Sequence, residues 1–127
     1  MLTKEQIIEA KDITRETVDV PEWGGQVCVT MLSAFAIDEY KSSIYAGKGE
    51  LNMKNITARL CALCIIDPET GKRIFGDDAI PLLGRKSGKV LKRISEVAER
   101  LNGLSPADMK ELEKNSGTIP SEDLPTD

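Results

Sequence analysis

The chain contains no histidine, and only 4% of its residues are aromatic. The absence of histidine removes the commonest general base, the commonest metal ligand and any imidazole pH switch. The few aromatic side chains cannot form a platform on which nucleic-acid bases stack. These absences argue against an enzyme and against nucleic-acid recognition by base stacking.

Cysteine and long apolar runs are also scarce. Three cysteines are an odd number and do not form a disulfide framework. The first residues, 1–5, lack the apolar core of a signal peptide, and no stretch approaches the roughly 18 apolar residues of a membrane span. We therefore expect a cytosolic protein with reduced thiols and no membrane partner.

Charge is unevenly distributed along the chain. The net charge is −4, from 21 acidic and 17 basic residues, which argues against a general DNA-binding protein. Residues 1–50 are acidic and the last thirteen residues carry only acids, whereas residues 85–93 carry five bases and no acid. This basic stretch is either a solvated helix face or a docking patch for an acidic partner surface.

The length of 127 residues indicates one domain, which we place at 1–114, followed by a disordered acidic tail at 115–127. Apolar periodicity predicts helices over 4–11, 34–46, 53–66, 88–102 and 106–114, with one further helical turn at 79–83. Alternating valines on either side of the glycines at 24 and 25 predict a β-hairpin. The expected fold class is α+β, mainly helical with four to five helices, one short antiparallel β-hairpin and a disordered C-terminal tail.

Local signals define the ends of several of these helices. Thr3 and Gln6 fit a capping box, and the short helix that follows must dock on another element to be stable. Ser33, Asn52 and Asp77 are predicted caps of later helices. The helix over 53–66 is apolar on most sides, which predicts that it is the centre of the core.

The pair Cys61 and Cys64 has the C-x-x-C spacing of a redox dithiol or of half a zinc site. Redox pairs lie at an exposed helix N-terminus, whereas these two are predicted in the middle of an apolar helix. A four-ligand zinc site has no histidine available to complete it. We interpret both cysteines as small core residues.

The segment 84–90, Gly-Arg-Lys-Ser-Gly-Lys-Val, resembles a phosphate-binding loop only superficially. It lacks one spacer residue, and Val90 stands where the hydroxyl ligand of Mg²⁺ is needed. We therefore predict no catalytic, cofactor-binding or metal-binding residues.

Trp23 is the one tryptophan and lies on the predicted turn of the hairpin. It either folds back over the apolar face of the hairpin or serves as an interface anchor, because exposed tryptophan is enriched at binding hot spots. The candidate protein-binding residues are Trp23 and the basic side chains of Arg85, Lys89, Lys92 and Arg93.

Several segments, taken in order, resemble the tail assembly chaperones of bacteriophages with siphovirus-type tails. They are Leu-Thr-Lys-Glu-Gln-Ile at 2–7, Val-Pro-Glu-Trp-Gly-Gly at 20–25, Ala-Arg-Leu-Cys-Ala-Leu-Cys at 58–64 and Arg-Leu-Asn-Gly-Leu at 100–104. The resemblance covers residues 1–114. The basic run at 84–93 is a departure that matches no requirement of the family.

The resemblance implies a small, non-enzymatic late protein of the host cytoplasm that is absent from the mature virion. Its partners would be the tape-measure protein, kept soluble during tail morphogenesis, and the tail-tube protein. Self-association through the edge of the hairpin is a further expectation, because an unprotected edge strand invites pairing.

Three other functions remain open from the sequence. They are a structural phage tail or connector component, a small regulatory nucleic-acid-binding protein that uses residues 85–93, and a redox enzyme that uses Cys61 and Cys64.

Overall fold

The computed structural model describes residues 1–45 and 51–105. Within these ranges the chain forms five α-helices and three β-strands: α1 (Lys4–Glu9), β1 (Arg15–Val20), β2 (Gly25–Thr30), α2 (Ala34–Ile44), α3 (Ile56–Cys64), β3 (Ile65–Ile66), α4 (Ile80–Leu83) and α5 (Gly88–Asn102). This confirms the α+β, mainly helical fold class. The predicted helix over 106–114 and the predicted acidic tail over 115–127 lie outside the described residues.

The predicted hairpin is confirmed and belongs to a larger sheet. Strand β1 pairs antiparallel with β2, from Arg15 opposite Thr30 to Val20 opposite Gly25. A 3-10 turn at Pro21–Trp23 joins the strands, and Gly24 follows it with φ of 78°, a conformation that glycine adopts without steric cost. Strand β3 pairs with the other edge of β2, so the sheet has the order β1-β2-β3.

The helix predicted over 53–66 is shorter at both ends. It begins at Ile56, after Asn55 in the left-handed conformation, so the predicted cap at Asn52 is wrong. It ends at Cys64 because Ile65 and Ile66 leave the helix and pair with β2. β-Branched side chains suit a buried strand, and both isoleucines are almost fully buried there.

Helix α5 packs its apolar face on α3 and on the sheet. Four of its buried residues, Val90, Leu91, Ile94 and Ala98, follow the predicted apolar spacing, and Ser95 is buried beside them. Ser87 caps the helix start by accepting a hydrogen bond from the Val90 amide, and Gly103 ends it in the left-handed conformation. The prediction for 88–102 is therefore confirmed, as is the burial of most of α3.

The other caps differ in outcome. Ser33 caps α2 as predicted, by accepting from the Ala36 amide. Asp77 was predicted as a cap but makes no cap hydrogen bond, and its carboxylate forms an ion pair with Arg73. Asp77 itself begins a 3-10 turn, Asp77–Ala79, that precedes α4. One long-range hydrogen bond links the end of α5 to the segment after β2: the Asn102 side chain accepts from the Leu32 amide at 2.7 Å.

Helix α1 has the predicted capping box and ends at Glu9 rather than at residue 11. The Thr3 hydroxyl accepts from the Gln6 amide and the Gln6 side chain accepts from the Thr3 amide. None of the residues of α1 is buried. The docking that its short length predicted is therefore not found within the described chain.

Candidate protein-binding surfaces

Trp23 lies on the turn between β1 and β2, where it is half-buried and packs against the hydrophobic core. Its neighbour Glu22 accepts two hydrogen bonds from the Arg93 guanidinium on α5, at 2.9 and 2.5 Å. This hydrogen-bonded pairing lowers the pKa of Glu22 to about 2. The turn is thus fixed to α5, and Trp23 both covers the core and keeps part of its ring accessible.

The basic face, defined as Arg85, Lys89, Lys92 and Arg93, extends from the segment before α5 into the first half of that helix. Arg93 is engaged with Glu22, whereas Arg85, Lys89 and Lys92 are exposed and form no ion pair with a described residue. Lys89 contributes a favourable charge interaction at Glu22, which places it near the Trp23 turn. The structure therefore brings Lys89 and Arg93 close to Glu22, the residue that precedes Trp23 in the turn.

A groove of about 560 Å³ runs along the polar side of α5. Lys92, Glu96, Glu99 and Arg100 are among the side chains that line it. Partial burial, together with the neighbouring charge of Glu96, raises the pKa of Glu99. The lining carries both signs of charge and has no grouping of catalytic side chains.

The N-terminal apolar segment, defined as Leu2, Ile7, Ile8 and Ile13, was not predicted as a binding surface. The exposed fractions of these residues are 68%, 59%, 69% and 49%. Apolar residues that cluster on a surface mark interaction sites more often than isolated ones do. The sequence signal was the short helix predicted over 4–11, whose apolar stripe includes the isoleucines at 7 and 8 and which must dock on another element to be stable.

A second groove, which we call the Arg59 groove, lies between α2, α3 and α4 and has a volume of about 220 Å³. Tyr40, Leu63 and Ile80 give it an apolar lining, while Arg59 and Arg73 supply positive charge. Burial raises the pKa of Tyr40 to about 12 although the nearby Arg59 charge opposes the shift. Sequence reasoning missed this groove because three separate elements form it.

Cys61 and Cys64 are both fully buried in the core, as predicted. Desolvation raises the pKa of each thiol to about 12, so almost no thiolate is present near neutral pH. Cys61 donates a weak hydrogen bond to the Leu91 carbonyl, and Asn102 donates one to the Cys64 sulfur. This environment is opposite to that of a reactive dithiol.

Within residues 1–45 and 51–105, no group of three or more cysteine, aspartate or glutamate side chains is arranged to hold a metal ion. No helix in the same ranges has the length and apolar character needed to cross a membrane.

No protein-family model and no curated protein sequence matches this chain. Among solved structures, the chain is similar to the tail assembly chaperone of bacteriophage HK97, with 22% sequence identity and a TM-score of 0.56. The match covers 76% of this chain and 90% of the HK97 chain. The chain therefore shares the fold of that chaperone, and the resemblance noted in the sequence is confirmed at the level of the fold.

Proposed function

We propose that this chain is a tail assembly chaperone of a long-tailed phage and that it acts by binding the tape-measure protein and the tail-tube protein. The observation that carries the proposal is the structural likeness to the HK97 chaperone, which extends over 90% of that protein. The ordered sequence segments at 2–7, 20–25, 58–64 and 100–104 support the same family independently of the fold comparison.

The N-terminal apolar segment supports binding of an apolar client. A chaperone that keeps an apolar helical chain soluble needs accessible apolar side chains, and Leu2, Ile7 and Ile8 are each more than half exposed. Such side chains cover apolar positions of a client helix in the way that helix-in-groove complexes do.

The basic face provides a second contact, with Trp23 at its border. Arg85, Lys89 and Lys92 form no salt bridge with a described residue, so they are available to an acidic surface. Exposed charges of one sign mainly increase the rate and selectivity of association. Trp23, which follows Glu22 in the turn, then adds a partly exposed aromatic surface.

A non-enzymatic role agrees with the burial of the two C-x-x-C thiols. The proposed place of action is the host cytoplasm, and the finished virion would not contain the protein. Mass spectrometry of purified particles separates this proposal from a structural tail component. Peptides of this chain at a copy number comparable to tail proteins would favour the structural role.

Capture of the tape-measure protein of the same genome by the tagged full-length chain tests the proposal. The wild-type chain should co-purify with the tape-measure protein from co-expressing cells. The variant Arg85→Glu/Lys89→Glu should capture at least about tenfold less, because it replaces two accessible cations by anions. The matched control Lys54→Glu/Lys72→Glu, at exposed lysines outside the basic face, should capture as much as the wild type. Failure of the wild-type chain to capture either the tape-measure or the tail-tube protein would refute the proposed function.

A further inference from the structure

Helix α1 is well formed at its start but buries no side chain against the described residues, 1–45 and 51–105. It has only six residues, and isolated helices shorter than about 12–15 residues are marginal in water. Its capping box satisfies two backbone donors, yet none of its side chains is buried. Because Ile7 and Ile8 remain 59% and 69% exposed, the helix lacks the apolar contact that would stabilise it.

The Arg59 groove has the complementary apolar surface. Tyr40 from α2 is largely buried, while Leu63 from α3 and Ile80 from α4 are half-buried and line the same depression. Phe35, which is 86% exposed, precedes the groove residue Glu39 by one turn of α2 and therefore lies on the same helix face. The apolar surface thus continues from the groove towards Phe35.

The charges in the groove are incompletely paired. Arg73 donates to the Asp77 carboxylate and to the Ala62 carbonyl, both at 3.0 Å. Among the described residues, Arg59 donates in contrast only to uncharged oxygens, those of the Ser43 hydroxyl and the Asn52 carbonyl.

The Nε atom of Arg59 is buried and has no hydrogen-bond partner. This atom has no exposed surface, but each terminal nitrogen of Arg59 donates only one of its two N–H groups in these contacts, so Arg59 has capacity for a further acceptor. Glu39 at the rim forms no ion pair with a described residue. The groove therefore offers one cation and one anion, neither in a salt bridge with residues 1–45 or 51–105, beside an apolar surface.

Like the groove, the surface of α1 has an apolar side chain beside one anion and one cation. Ile8 lies four residues after Lys4 and three after Glu5, so these three side chains are neighbours on one face of the helix. We propose that α1 of one copy of this chain packs into the Arg59 groove of a second copy, with Ile8 on the apolar surface, Glu5 facing Arg59 and Lys4 facing Glu39. This contact goes beyond the proposed function, does not depend on it, and differs from pairing through the edge of the hairpin.

Sedimentation of the full-length protein over a dilution series tests the contact. The wild-type chain should self-associate reversibly. Ile8→Asp should raise the self-dissociation constant by about tenfold or more, because it places a charge on the apolar surface. Ile74→Asp is the matched control: Ile74 is 56% exposed and does not line the groove, so its dissociation constant should equal that of the wild type. A wild-type chain that stays monomeric throughout, or an unchanged constant for Ile8→Asp, would overturn the proposal.

Exchanging the two charges gives a second readout, in which self-association is recovered rather than lost. Glu5→Arg and Arg59→Glu should each weaken association, whereas the double variant Glu5→Arg/Arg59→Glu should recover most of it. If Arg59→Glu fails to fold, Glu5→Arg and Ile8→Asp still decide the question, because α1 buries no residue in its own chain. Absence of recovery in a folded double variant would contradict the predicted pairing.

Cross-linking between two different variants then tests the geometry. A mixture of chains carrying Ile8→Cys with chains carrying Glu39→Cys should form an intermolecular disulfide under mild oxidation, and neither variant alone should do so to the same extent. The three natural cysteines are buried and do not compete. Absence of this product from the mixture would overturn the proposal. The proposal would also be overturned if a single chain that carries both changes formed only an intramolecular disulfide at high dilution.

Discussion

Cys61 and Cys64 illustrate how a residue's surroundings decide its chemistry. Their spacing is that of redox and zinc motifs, but their positions on α3 place both sulfurs in the core. The apolar residues around them in the sequence were enough to predict this burial. Their hydrogen bonds to Leu91 and Asn102 were not predictable, because these residues lie 30 and 38 positions away in the chain.

Thiol labelling tests the account of these cysteines. Because burial raises the pKa of both thiols to about 12, Cys61 and Cys64 should react with a thiol reagent only on unfolding. Labelling of the native protein at neutral pH, followed by mass spectrometry, should leave both unmodified while the denatured chain is labelled rapidly. Fast labelling of either residue in the native state would restore the redox hypothesis.

Glu22 should give the protein a specific acid sensitivity. Its pKa is lowered from 4.5 to about 2 by the Arg93 guanidinium, so the pairing stabilises the folded state above pH 4.5. This contribution should decline as the pH falls below 4.5 and disappear near pH 2. Glu22→Gln should therefore have a lower melting temperature than the wild type at pH 7, and the two proteins should converge on acidification.

Because Glu22 and Arg93 are solvent-accessible, the difference should also shrink at high salt. Identical melting temperatures of Glu22→Gln and the wild type at pH 7 and low salt would contradict a stabilising role for this pair.

At the scale of elements, the sequence predicted those helices and helix caps that depend on residues close together in the chain. The capping box of α1, the Ser33 cap of α2 and the amphipathic pattern of α5 are all found. Strand β3 was missed because Ile65 and Ile66 continue an apolar helical pattern. Only their contact with β2, more than 30 residues earlier, makes the extended conformation more favourable there.

Loss of an isoleucine side chain should destabilise the protein strongly in α5 and hardly at all in α1. Ile94→Ala on α5 removes a fully buried side chain, so it should lower the free energy of unfolding by about 2–5 kcal/mol. Ile7→Ala on α1 removes an exposed side chain and should change it by less than about 0.5 kcal/mol. Denaturant unfolding at low protein concentration measures both. A large loss for Ile7→Ala under these conditions would show that α1 packs on its own chain.

At the scale of the whole molecule, the sequence predicted the candidate site only in part. Residues 85–93 were visible as a basic stretch, but the engagement of Arg93 by Glu22, 71 positions earlier, follows from the tertiary fold. The structure thereby divides the basic face into a structural arginine and three available cations. The Arg59 groove had no sequence signal, because α2, α3 and α4 form it jointly.

The proposed role depends on surfaces that the fold leaves uncovered. The N-terminal apolar segment, the available cations of the basic face and the partly exposed Trp23 are all accessible within the described chain. A protein that holds an apolar client during tail assembly requires such adaptable contacts and no catalytic group. The chain shares its fold with the HK97 tail assembly chaperone.

The most direct test is the soluble fraction of the tape-measure protein of the same genome, expressed with and without this chain. We predict that the tape-measure protein is mostly insoluble alone and mostly soluble when the chain is co-expressed. An equal amount of the variant Arg85→Glu/Lys89→Glu should give clearly less soluble tape-measure protein. A soluble fraction that is the same with and without the wild-type chain would contradict the account.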